Sequence, residues 1–255
     1  EAEDLAGEAR IRIGDQEIKT GEINADDFLG CKVKAYINQN SNGDNTLVYI
    51  EKAADVREVE VTYQDLINMN ASGSCSYWKN NNYAAITISK TANVIYNGRF
   101  ACKLYDAKDE WFDIQNGSIV LIDADGGGYE TVIVQEARMI VAEGYDASGE
   151  KIIGKNHREE IDVSIEGKER VSLIRNGKQA DFVEISRWDV LEIYASMDGQ
   201  VIGIVATNTP VKGALSQMKD ETVVINEQEY DFLKAALDCA EFKVGEKGVF
   251  YLDSK

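Results

Sequence analysis

The chain has one proline and one histidine in 255 residues, and no Cys-x-x-Cys pair among its four cysteines. Each shortage excludes something. With Pro210 alone, few strands can be interrupted by proline. With His157 alone, in the polar run GKNHREE, histidine-based hydrolytic triads and His-rich metal sites lack their usual parts. Without Cys-x-x-Cys spacing, zinc knuckles and thioredoxin-type redox sites are not expected. Cys31, Cys75, Cys102 and Cys239 each sit in or beside apolar residues and read as buried thiols. Cys75 and Cys102 are the nearest pair should one disulfide form. No apolar run approaches the ~18–20 residues of a membrane helix. Basic residues are also short, 27 Lys and Arg against 45 Asp and Glu, for a net charge of −18. Such a chain is repelled by nucleic acid and by anionic membrane surfaces. Its acidic residues are spread out, as on a solvated surface or in a cation-rich, extracellular setting. It opens on Glu1 rather than Met, without a signal peptide, and reads as processed or as an excerpt of something longer.

What is present is alternation with period two. RIRIGDQEI, KVKAYI, EVEVTY, AAITIS, SIVLID, ETVIVQ, RVSLIR, VLEIYA and VIGIVAT each read as half-buried strands. Between them lie Asn-Gly, Asp-Gly and related turn signals that favour tight hairpins. Only TYQDLINMN (62–70) and YDFLKAALDCAEF (230–242) suggest short helices. The expected fold class is therefore all-β, hairpins closed into small barrels or sandwiches in tandem. Residues 142–151, AEGYDASGEK, break the alternation and suggest a boundary, giving β domains over 1–145 and 146–255.

An internal repeat links the two ends. IRIGDQEI (11–18) matches VVINEQEY (223–230), and GCKVKAYIN in the first copy matches GEKGVFYLD in the second. The copies, 11–38 and 223–253, lie some 210 residues apart and predict one recurring module. The second copy stops after a strand, where a turn and a partner strand would be expected.

Three stretches invite a chemical reading. LIDADGGGYETVIV (121–134) resembles the start of a calcium loop, with Asp123, Asp125 and Glu130 as candidate ligands. Counted from Asp123, position 5 is Gly127 and position 12 is Val134, neither of which chelates. A glycine-rich hairpin turn outweighs a weak calcium site there, with Gly126, Gly127 and Gly128 supplying positive φ and both aspartates accepting backbone N–H groups. NQNSNGDNTLVY (38–49) fails the same count. GSCSYWKNNNYAA (73–85) gathers Tyr77, Trp78 and Tyr83 around Asn80, Asn81 and Asn82. Aromatic faces beside amides suit a sugar-binding surface; the plainer reading is an aromatic plug. Trp111, Phe112 and Trp188 read as strand-edge core residues. No carboxylate pair stands out as a glycosidase pair, no glycine-rich loop precedes a helix, and no nucleophile elbow surrounds Ser148.

GSIVLIDADGGGYETVIVQEARMIV, WDVLEIYASMDGQVIGIVAT, VKGALSQMKDETVVINEQEY and GEKGVFYLD together resemble the β-module region of surface proteins of Gram-positive anaerobes that carry S-layer homology domains. The resemblance covers most of 93–255; the wall-binding homology domains themselves are not in the sequence. It implies a non-catalytic, extracellular segment on a bacterial cell surface that spaces, displays or assembles β modules. Its partners would be other modules of the same protein, neighbouring surface proteins or a cell-surface glycan, with no nucleic acid, no membrane insertion and no required cofactor. The competing readings are a carbohydrate-binding module using Tyr77, Trp78 and Tyr83, and a phage tail structural protein.

Overall fold

The computed structural model describes residues 10–14, 16–20, 23, 25, 28–39, 45–155, 159–219, 222–231 and 243–254. His157, Cys239, most of the 230–242 helix expectation and the tip of the 38–49 loop lie outside the described residues. Among the described residues the fold is all-β, four sheets with a few 3-10 turns. Two compact units are formed, Glu1–Ala137 with Ala195–Val201, and Arg138–Tyr194 with Ile202–Lys255. Residues 142–151 run through a hairpin of the second unit.

In the first unit, β1 (Arg10–Ile13), β2 (Gln16–Lys19), β3 (Val33–Gln39) and β4 (Asn45–Lys52) form a sheet in the order β1-β2-β4-β3. Its core is Ile18, Leu47 and Ile50, with Ile11, Ile13, Val33 and Ala35 packed against them. A larger sheet holds β5 (Arg57–Thr62), β6 (Leu66–Asn70), β7 (Ser74–Lys79), β8 (Asn82–Tyr96), β9 (Arg99–Lys103), β10 (Gly117–Asp123) and β11 (Tyr129–Glu136). The apolar runs of β10 and β11 place them centrally, because strands buried on both faces need side chains of one kind on both. Ile119, Leu121, Val132 and Val134 lie fully buried with Leu104 and Phe112 beneath them. β8 is long enough to serve two neighbourhoods: it pairs β7 along its first half, then β9, and β11 in parallel.

The helix expected over 62–70 is replaced by a turn and a strand. The Asp65 N–H donates to the Thr62 carbonyl at 3.1 Å, the Thr62 hydroxyl to Asp65 at 3.2 Å, and β6 follows, pairing Met69 with Cys75. The Leu66–Met69 spacing imitated a helix face; pairing with β7 decided otherwise.

In the second unit, β12 (Arg138–Asp146), β13 (Lys151–Gly154), β14 (Glu160–Asp162), β15 (Arg170–Arg175), β16 (Lys178–Gln179), β17 (Val190–Ala195) and β18 (Val201–Thr207) make a sheet in the order β14-β13-β12-β17-β18-β15-β16. Ile140, Ile152, Leu173, Leu191 and Ile204 form its core. A last sheet contains β19 (Thr209–Met218), β20 (Thr222–Ile225), β21 (Gln228–Asp231) and β22 (Lys247–Leu252), ordered β21-β20-β19-β22 around Leu215, Val223 and Ile225.

Candidate functional site

The β10–β11 hairpin brings Asp123, Asp125 and Glu130 together, one carboxylate oxygen of each within 4.8 Å of the others. Antiparallel pairing of Ile122 with Thr131 sets both strand ends at the turn, so the three acids converge there. Gly126 and Gly128 take φ of 84° and 128°, which the turn requires; Gly127, expected to share that conformation, does not. The turn is held by its own acids. Asp123 Oδ1 accepts the Gly126 N–H at 2.6 Å, Asp125 Oδ1 the Gly127 N–H at 2.9 Å, and Glu130 Oε1 the Ala124 N–H at 2.6 Å. Asp123 is 0% exposed and its other oxygen is paired with the Arg57 guanidinium. Burial alone would raise its carboxyl, but the N–H groups of Gly126 and Gly128 and the charge of Arg57 hold it below its ordinary 3.8. Glu130 Oε2 is buried and has no hydrogen-bond partner among the described residues. Calcium takes six to eight oxygens. Here all three carboxylates already serve the turn, so the donor set fits a hairpin lock better than a dedicated ion cage.

The aromatic stretch is divided by the pleat. Neighbouring residues on a strand face opposite ways, and Tyr77 packs into the core while Trp78 does not. Trp78 is 48% and Tyr83 64% exposed, and the two stand directly opposite across β7 and β8. The sugar platform of three aromatics is thus reduced to two. A shallow cleft of about 280 Å³ beside it is lined by Trp78, Tyr77, Asn80, Glu58, Glu60 and Asp65 among others. Asn80 and Asn81 form the two-residue hairpin loop, with φ of 52° and 62°, as a type I′ turn requires. The Asn82 amide donates to the Asn80 carbonyl at 3.0 Å. The asparagines therefore have turn work of their own.

Trp188, expected as a core residue, is 39% exposed and sits at φ 73°. Its ring is stacked on Tyr251, centroids 5.5 Å apart and planes 3° from parallel, with the Lys155 ammonium 4.0 Å from the ring centroid. Trp111 lies in a 3-10 turn, Asp109–Phe112, half-buried against the core, and Phe112 is buried.

Sequence reading did not single out two buried carboxylates of the second unit. Asp189 receives both Arg175 guanidinium nitrogens, the Ser186 N–H at 2.9 Å and the Asn208 amide at 2.8 Å. Glu192 receives the Tyr194 hydroxyl at 2.8 Å, the Ser254 N–H at 2.9 Å and the Ser254 hydroxyl. The only local signal was a carboxylate standing among apolar strand positions, in WDVLEIY. Apart from Tyr194 on the same strand, every partner comes from a distant segment or from a turn, so both read as structural hubs rather than poised acids.

Cys31, Cys75 and Cys102 are free thiols. Burial, then the Glu58 carboxylate that accepts its S–H at 3.0 Å, pushes Cys31 up to about 12. Burial pushes Cys75 up to about 11. Neither is a poised nucleophile at neutral pH, where the thiolate is the reactive form.

The chain matches no family model, no curated protein and no solved structure.

Proposed function

We propose that this chain is a non-catalytic structural segment of a bacterial cell-surface protein, in which β modules are spaced and assembled end to end. The observation that carries the reading is the recurrence of one hairpin at both ends of the chain, β1–β2 and β20–β21, in the same register. The likeness of 93–255 to modules of S-layer homology proteins adds the surface setting, and the strongly acidic composition suits it. The acids that cluster are engaged in turns and hubs, which is what a scaffold asks of them. The test is antibody labelling of intact and of lysed source cells. Labelling of intact cells is expected; signal only after lysis would overturn the reading.

A second reading is favoured by the exposed Trp78–Tyr83 pair beside its cleft. Two aromatic faces flanked by carboxylates suit CH–π contact and hydrogen bonding to a cell-surface glycan. A glycan array with the unaltered protein and with Trp78→Ala separates the two. Binding lost in the variant supports a glycan module; no binding leaves the scaffold.

A further inference from the structure

The two terminal sheets are one module, each with a different strand present. In β1–β2, Ile13 faces Gln16, Arg12 faces Glu17 and Ile11 faces Ile18. In β20–β21, Ile225 faces Gln228, Val224 faces Glu229 and Val223 faces Tyr230. The third strands also correspond, with Ala35 of β3 and Phe250 of β22 each packed on its own core. The neighbours differ. In the first sheet β4 lies between β2 and β3, parallel to one and antiparallel to the other. In the last sheet β19 lies between β20 and β22, antiparallel to both. Among the described residues no strand lies between β21 and β22, the place corresponding to β4, nor between β1 and β3, the place corresponding to β19.

Combining the two completes a ring: a β19-type strand, β20, β21, a β4-type strand, β22, and back to the first. Strand directions in a closed ring agree only if the number of antiparallel pairs is even. Four of these pairs are antiparallel and one is parallel, so the ring closes without conflict. It is a five-stranded Greek-key barrel with the connectivity of OB-type barrels.

Burial follows the strand that is present. Ile18, on β2 beside β4, is buried, while its counterpart Tyr230 on β21 is only half-buried. Val223 and Ile225, beside β19, are buried, while their counterparts Ile11 and Ile13 on β1 are half-buried. In β4 the core residues are Leu47 and Ile50. Tyr49 faces Tyr36 and Leu47 faces Ile37, so Val48 is the extra residue of a bulge that turns positions three apart to one face. The last sheet has no counterpart of these two residues in its core among the described residues.

We infer that the edges of β21 and β22 are an acceptor for one β-strand of the β4 type, supplied by a further module of this repeat and running parallel to β21 and antiparallel to β22. Open edges otherwise pair indiscriminately, and strand addition is the recognised way to use them. The inference rests on the module-assembly reading only for the source of the strand; the acceptor itself rests on the repeat.

The experiment appends a second copy of residues 45–52 behind Lys255 of the intact chain, through a glycine–serine linker matched to the 40–44 connection of the first copy. Tethering keeps the strand at high effective concentration. Amide hydrogen exchange is followed strand by strand. Exchange in β21 and β22 is expected to slow at least about tenfold, with β1 and β3 unchanged, as new ladder bonds close both edges. The same fusion carrying Leu47→Asp and Ile50→Asp in the appended copy is expected to leave β21 and β22 unchanged. The inference is overturned if the unaltered appended strand does not slow them, if both fusions slow them alike, or if protection falls on β1 and β3 instead. Cell labelling reads the surface proposal separately, so either can fail alone.

Discussion

Arg57 on β5 stands directly opposite Asp123 at the end of β10, and its guanidinium closes over a carboxylate that solvent does not reach. The folded-state pKa of Asp123 is depressed. Its stabilising contribution is therefore present above the unfolded value of about 4 and is lost as pH falls through that value toward the folded one. Arg57→Ala is expected to lower the melting temperature most at neutral pH, with the difference from the unaltered protein narrowing by about pH 3. Melts across that range check this; a constant difference would mean that Arg57 acts through packing alone.

Calcium is expected to add little. Thermal melts in chelator and in millimolar calcium should agree within about 1–2 °C, since calcium at or below the dissociation constant of a weak site contributes little linkage energy. Asp125→Asn is the clean control, because Asp125 is exposed whereas Asp123 is buried. A larger rise that Asp125→Asn removes would make the turn a metal site.

Trp78→Ala is expected to leave the fold intact. The side chain is half exposed, and a cross-strand aromatic pair contributes about 0.2–1 kcal/mol. Urea unfolding of the variant measures this. A loss of several kcal/mol would show that Trp78 packs rather than presents, and would remove the glycan reading.

Asp189 holds four donors in the second unit, so Asp189→Ala strands the Arg175 guanidinium. Removing one partner of a buried ion pair costs about 3–5 kcal/mol. The variant should unfold at markedly lower urea by tryptophan fluorescence, Trp188 being the reporter next to the site in sequence. An unchanged midpoint would contradict the hub.

The thiols are expected to resist alkylation. With Cys31 raised to about 12 and Cys75 to about 11, little thiolate exists near pH 8. Peptide mapping after iodoacetamide should show slow labelling of both in the native protein and fast labelling in urea. Glu58→Gln should speed Cys31, because it removes the acceptor charge; no change would leave burial as the sole cause.

Much of this architecture is local and could be read from residues alone. Period-two alternation locates strands because side chains on a pleat face opposite ways, and GGG and the Asn-Gly pairs at 97–98 and 176–177 locate turns because few residues besides Gly and Asn accept positive φ. The terminal repeat is legible for the same reason, since its register is set by a two-residue turn. Strand neighbours are another matter. The parallel pairing of β8 with β11, the insertion of β4 between β2 and β3, and the strand at 66–70 depend on partners distant in the chain. The sites divide likewise. Asp123, Asp125 and Glu130 share one hairpin, so their convergence was readable. That Arg57 covers Asp123, that Tyr77 turns inward while Trp78 stays out, and that Asp189 and Glu192 are buried hubs were settled only when remote strands came together. Sequence by itself determined most of the strands and turns, and the repeat, all set by steric and hydrophobic preferences within a few residues. Tertiary structure alone decided which strands became neighbours, and so which charges were paired, which rings were exposed and which edges were left to accept another strand.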